Sequence, residues 1–212
     1  MAGSLNKYLA ELLGTFVLIG VGSMAILSAG GNIVAIALGF GLAMLAAIYM
    51  FGAVSGAHVN PALTFARLLR GEISGADLVG YVVAQLAGAL LASGLVAAVA
   101  GVGGVEQTVP AGGRGIAPAE VFVLEAILTA VLVIVFLRTT SGDGATAPIG
   151  VALALTVIHL AAVPLTGASV NPVRSLGPAI IAVEFTEVWA YILGPLVGAI
   201  VGVYVDRFVN ES

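Results

Sequence analysis

Two stretches hold the residues best placed to act on a solute. Ser55 to Ala62 reads SGAHVNPA, and Thr166 to Val173 reads TGASVNPV. In each, Asn followed by Pro is a helix start: Asn60 or Asn171 caps with its side-chain oxygen. Pro61 or Pro172 takes the first helical position, where a missing N–H costs nothing. Ala62 and Val173 complete the two triplets. A helix N-terminus carries about half a positive charge. Two such ends facing one point would repel cations, and the asparagine amides could donate to a passing water oxygen. Water turned in this way points its hydrogens away from the centre, which disfavours a continuous proton wire. A purely structural reading, in which the asparagines only cap, is compatible with the same residues. Arg174 follows three positions after Asn171. In an apolar segment an arginine is expensive and marks a pathway; the alternative is a side chain reaching for the surface.

Catalysis is poorly served by this chain. It has no cysteine, which excludes disulfides, thiolate metal sites and a cysteine nucleophile. Its two histidines, His58 and His159, are too far apart to give a metal-ligand spacing. No nucleophile–base pair or metal cluster is visible, so neither an enzyme nor a cofactor is expected. The net charge of −4 gives no reason to expect a nucleic-acid partner.

The elements that must position these residues are membrane spans. Hydrophobic residues make up 60% of the chain and charged residues 8%, with a mean hydropathy of +1.18; a soluble domain carries roughly 25% charged residues. The lipid bilayer is therefore the expected solvent. Apolar runs predict spans at about 8–28, 33–53, 76–100, 117–138, 147–165 and 187–208. The first run is too long for a signal-peptide core of about 7–15 residues. Between the second and third spans, and again between the fifth and sixth, the Asn-Pro starts predict helices at about 60–69 and 171–181. At about 1.5 Å per residue neither can cross a bilayer. Each must enter and return, preceded by irregular backbone that survives in a membrane only when buried in protein or lining a cavity.

The chain also repeats. Glu11 with Glu125, the Asn-Pro stretches, and Tyr81 with Tyr191 recur in one order at an offset of about 110 residues. Each half holds three spans and one half-helix, and an odd number of spans inverts the second copy, so the half-helices enter from opposite faces. The repeats run from about 1–105 and 117–212, joined by a Gly-rich loop, and form one channel domain over 1–212. With both termini inside, Lys7, Arg67, Arg70, Arg138 and Arg207 are cytoplasmic, while Arg114 and Arg174 are outside. The joining loop is then extracellular. Small residues spaced by four, Gly194, Gly198 and Gly202 in the last span and Ala84, Gly88 and Ala92 in the third, predict close helix approach.

These motifs together resemble the aquaporins, the major intrinsic protein family of water and glycerol channels, over essentially the whole chain. The resemblance implies an all-α membrane protein of six transmembrane helices and two re-entrant half-helices, assembled as a homotetramer with a pore in each subunit. It places a selectivity constriction at Phe40, His159, Ala168 and Arg174, by their distances from the two asparagines. Phe, His and Arg at these positions resemble the water-selective branch; the glycerol branch has a small residue where His159 stands and Asp where Ser175 stands. Ala168 stands where Cys or Thr is often seen, which widens the constriction slightly. The resemblance gives Glu11 and Glu125 the task of bonding the irregular backbone before the half-helices, with Gln85 and His58 as scaffold.

Four functions are open at this point. A passive water channel of the cell membrane, excluding protons and ions, is the main expectation. A glycerol or small-solute facilitator shares its architecture. A proton- or ion-coupled transporter would have to use Glu11 and Glu125 as its coupling pair. A purely structural membrane protein gives no reason to keep Arg174 beside a double half-helix.

Overall fold

The computed structural model describes residues 4–113, 115–140 and 147–210. Arg114, one of the two arginines counted as extracellular, lies outside the described residues. Eight helices follow in order: α1 (Ser4–Ser28), α2 (Ile33–Ser55), α3 (Pro61–Leu69), α4 (Gly75–Glu106), α5 (Pro118–Thr140), α6 (Ala147–Thr166), α7 (Pro172–Ala182) and α8 (Val188–Asn210). Six are long and apolar enough to cross a membrane. The other two, α3 with 9 residues and α7 with 11, are about 14 and 17 Å long, roughly half of a hydrocarbon core. The architecture is the expected one, with two short helices set among six spans.

Local chemistry fixes the ends. Asn32 caps α2 by accepting from Val34 and Ala35 N–H at 3.0 and 3.2 Å. Ser74 caps α4 through Asp77 N–H at 3.0 Å. Gly56, at φ 87°, closes α2 in the left-handed conformation. The third span is longer than its apolar run suggests: α4 continues past a non-helical Gly101 to Glu106.

The two repeats pack by one scheme. α1 lies along α4, and α5 lies along α8. The small residues make this possible. A Cβ on Gly88 would stand 2.2 Å from the Leu12 carbonyl oxygen, and one on Gly198 would stand 2.3 Å from that of Ala126. The repeats interlock through α2 against α6, and each half-helix touches the last span of the other repeat: α3 packs on α8 as well as α4, and α7 on α4 as well as α8. The main apolar core lies between α2, α3, α5 and α6, around Phe40, Met44, Leu63, Leu132, Phe136 and Leu155. Large apolar side chains such as Leu42, Val83, Val157 and Leu193 are exposed, as suits helices solvated by lipid.

Candidate functional site

The loops before the half-helices place the site, and each is held by one buried carboxylate. Glu11 Oε1 accepts from Ser55 Oγ at 2.7 Å and His58 N–H at 2.9 Å; Oε2 accepts from Val59 N–H and from Gln85 Nε2, both at 2.7 Å. Glu125 Oε1 accepts from Thr166 Oγ1 at 2.8 Å and Ser169 N–H at 3.0 Å, and Oε2 from Val170 N–H at 2.6 Å. These bonds answer the backbone donors that an irregular loop inside a membrane protein leaves over. They also hold Ala57, Val59, Ala168 and Val170 at φ of 44, 45, 50 and 45°, a conformation that side-chain-bearing residues seldom adopt. Tyr81 and Tyr191 each donate to the carbonyl at the loop entrance, of Ser55 at 2.8 Å and of Thr166 at 2.7 Å. Their recurrence in the repeats was the only signal of this role.

His58 and Gln85 complete the first loop. Gln85 Nε2 also donates to Thr64 Oγ1 at 2.9 Å, and that hydroxyl donates to the Asn60 carbonyl at 3.0 Å. With its hydrogen so used, Thr64 accepts from His58 Nδ1 at 3.2 Å. The imidazole is wedged between Tyr81 and Phe136, with ring centres at 5.0 and 5.6 Å. His58 is thus built into the scaffold.

The two half-helices start face to face. Asn60 Oδ1 caps α3 through Ala62 N–H at 2.8 Å, and Asn171 Oδ1 caps α7 through Val173 N–H at 3.1 Å and Arg174 N–H at 3.4 Å. Each Nδ2 also reaches across to the other repeat: Asn60 donates to the Val170 carbonyl at 2.8 Å, Asn171 to that of Val59 at 2.9 Å. Sequence reasoning foresaw the caps but not these crossed bonds, which leave one amide hydrogen on each asparagine for a solute. The prolines turn the other way. Pro61, Pro172 and Val173 line an apolar groove between α4 and α8, with Phe65, Leu86 and Leu196. Ala62 is fully buried.

Both asparagines line a narrow central cavity, with Phe40, Met44, His159 and Arg174 among its other walls. Arg174 also lines a second cavity, formed by Thr108, Val109, Gly167 and Ile36, so it stands where the two spaces meet. Its Nη1 donates to the Thr108 carbonyl at 2.8 Å, and its Cζ lies 5.2 Å from the Phe40 ring centre. Phe40 and His159 stack with centres 4.4 Å apart at 25°. His159 Nδ1 lies 2.9 Å from the Leu155 carbonyl; a carbonyl only accepts, so Nδ1 carries the hydrogen and Nε2 is a bare acceptor. His159 and Arg174 are 1% and 5% exposed, yet His159 Nε2 and Arg174 Nε have no partner among the described residues. An acceptor and a donor, both buried and both without a partner among the described residues, thus belong to side chains that line one cavity.

Three of the four expected constriction residues therefore converge. Ala168 is not among the residues lining the central cavity; its neighbours Ser169 and Val170 are. Ser169 Oγ instead bonds Ser175 Oγ at 2.6 Å and the Asn171 carbonyl at 3.0 Å. The loop joining the repeats does more than link them, since its Thr108 carbonyl holds the arginine and its Gly113 N–H donates to the Leu165 carbonyl at 2.7 Å. A backbone carbonyl has no signature in the sequence, which is why this contact was not foreseen.

The family model described as major intrinsic protein matches residues 1–206. The chain belongs to the major intrinsic protein family. Among relatives of this family it is 42% identical to "Glycerol uptake facilitator protein-like 6" of Lactiplantibacillus plantarum, over 98% of this chain and 100% of that one. It is 36% identical to "Aquaporin NIP1-1" of Zea mays, over 98% and 77%, and 33% identical to "Aquaporin Z" of Rhodopseudomonas palustris, over 98% and 94%. The aquaglyceroporin structure from Plasmodium falciparum superposes with a TM-score of 0.91 over 99% of this chain and 98% of that one, at 24% identity, a likeness of fold. Facilitator and aquaporin names both occur among these relatives, so they show the family and do not single out a branch of it.

Proposed function

We propose that this chain is a passive transmembrane channel for water and small uncharged solutes. The observation that carries the reading is the convergence of His159, Arg174 and the paired asparagines on one narrow passage. Two helix starts and a guanidinium repel cations and hydronium there, while these donors and the His159 Nε2 acceptor replace part of a neutral solute's hydration. The coupled-transporter reading loses its motive: both oxygens of Glu11 and of Glu125 are engaged by loop donors.

Water and glycerol compete as principal permeant. Water is supported by the stack of Phe40 on His159 under Arg174, which offers a glycerol carbon chain little apolar room. Glycerol is supported by the facilitator-like relative, which shares 42% identity over its full length against 33% for Aquaporin Z; by relatives' names, this second reading has the greater weight. Around this core we place a homotetramer in the cell membrane, with both termini cytoplasmic, the joining loop outside, and the repeats at about 1–105 and 117–212 forming a single channel domain.

Stopped-flow light scattering of proteoliposomes tests both. Accelerated osmotic shrinkage is expected from the wild-type chain. A glycerol gradient then separates the permeants: rapid reswelling makes the chain a facilitator, and its absence makes it a water channel. No acceleration of either flux would end the channel reading.

A further inference from the structure

The side chains lining the passage meet the solute, but their spacing is set from behind. We propose that Gly22 on α1 and Gly41 on α2, neither of which lines the cavity, are positioning residues that set where the stacked Phe40 and His159 rings stand against Arg174, and thereby the aperture these three border and the size of solute admitted.

A Cβ on Gly22 would lie 2.3 Å from Cε1 of Phe40 and 2.5 Å from Cδ1 and Cζ. The ring therefore rests directly on the α1 backbone. The His159 ring at 4.4 Å and the Arg174 guanidinium at 5.2 Å also stand against it. With Phe40 only 2% exposed, a ring pushed off Gly22 moves into the aperture. Gly41, the next residue, governs the other wall. A Cβ there would lie 1.8 Å from Thr156 Oγ1 and 3.0 Å from the Ala152 carbonyl oxygen. Thr156 Oγ1 is tied to that same carbonyl at 2.9 Å, so it cannot simply swing aside. α2 thus lies against α6 with no side chain of its own at this point, only that of Thr156, one turn before His159. A wedge at Gly41 would part the helices that carry Phe40 and His159.

Both glycines sit inside regular helix and neither has a positive φ. Helix propensity alone favours alanine at such positions. Close approach is what glycine supplies here, and it does so at the level of the filter.

The two sites make opposite predictions. In the reconstituted full chain, G22A should lower water flux per channel several-fold, and the smaller side chain in G22A/F40L should restore it. G41A should raise the glycerol-to-water flux ratio several-fold, and G41A/T156A should return it toward wild type. T156V, a milder wedge that adds no atom to α2, should shift the ratio the same way and serves if G41A does not insert. An unchanged ratio in T156V or G41A, or an unchanged flux in G22A, would overturn the assignment. So would partner substitutions that fail to reverse the change, or a G22A/F40L chain that fails to insert. The inference rests on the passive-channel reading. A wild-type chain conducting neither solute ends that reading, whereas a conducting wild type with indifferent glycine variants ends only this one.

Discussion

Around Glu11, the loop before α3 is held by two backbone N–H groups, a serine hydroxyl and a tyrosine. Around Glu125, the loop before α7 is held by two backbone N–H groups, a threonine hydroxyl and a tyrosine. Even the strained backbone recurs, at Ala57 and Val59 and again at Ala168 and Val170. What the half-helices carry is different. Arg174 stands three residues into one, and Leu63, fully buried, stands at that place in the other. The positions matching Phe40 and His159 in the opposite repeats are Val151 and Ile48. Symmetry therefore belongs to the scaffold, which must satisfy the same stranded backbone twice. Discrimination needs to be performed only once along a path, and the residues we propose for it lack counterparts in the opposite repeat.

If the scaffold is symmetric in energy as well as in shape, E11A and E125A should be the most damaging changes and should be damaging alike. Each strands two buried backbone donors, at about 1–3 kcal/mol apiece, and releases strained residues costing about 1–3 kcal/mol each. Neither variant is expected to yield a monodisperse, heat-resistant protein in detergent. Tolerance of one and collapse of the other, by size-exclusion and thermal unfolding, would break the comparison. Next in size, G88L and G198L drive a side chain into a partner backbone at 2.2 and 2.3 Å. Overpacking costs of about 1–3 kcal/mol or more should lower the unfolding temperature of both to a similar degree.

R174L acts on the half that differs, by giving α7 the residue that α3 already has. The scaffold bonds do not involve the guanidinium, so the variant should fold and conduct water. Exclusion of cations should weaken by about tenfold, the equivalent of 1.4 kcal/mol, and neutral solutes larger than water should enter faster. Conductance across planar bilayers and glycerol reswelling read the two effects. Unchanged exclusion would place discrimination at the asparagine pair, and the asymmetry would lose its function.

The landmarks that sequence patterns reveal are those with a composition: six apolar runs, two Asn-Pro starts, and paired Glu and Tyr residues at one offset. From these the fold and the paired asparagines could be read, whereas Phe40 and His159 were located only through the family resemblance. What stayed hidden was made of backbone. The Thr108 and Leu155 carbonyls that hold Arg174 and His159, and the crossed bonds to Val59 and Val170, belong to residues whose side chains say nothing about them. Ala168 illustrates the converse. The resemblance placed it at the constriction, yet its neighbours Ser169 and Val170, and not Ala168, line the central cavity.

Val173 offers the finest test of how far the likeness extends. The first triplet ends in Ala62, the second in Val173, which is 1% exposed and packs with Ile19, Ala89 and Ala92. Two methyl groups distinguish the half-helix starts, and they face the apolar groove, away from the asparagines. V173A makes the triplets identical. It should cost about 1–2 kcal/mol from lost burial, seen as a modest fall in unfolding temperature, while water and glycerol flux per channel stay at wild-type values. A change in flux would mean that the α7 start shifts when its packing loosens, carrying Asn171 and Arg174 with it. The groove side of the half-helix would then belong to the filter, and scaffold and discrimination could no longer be assigned to separate faces of α7.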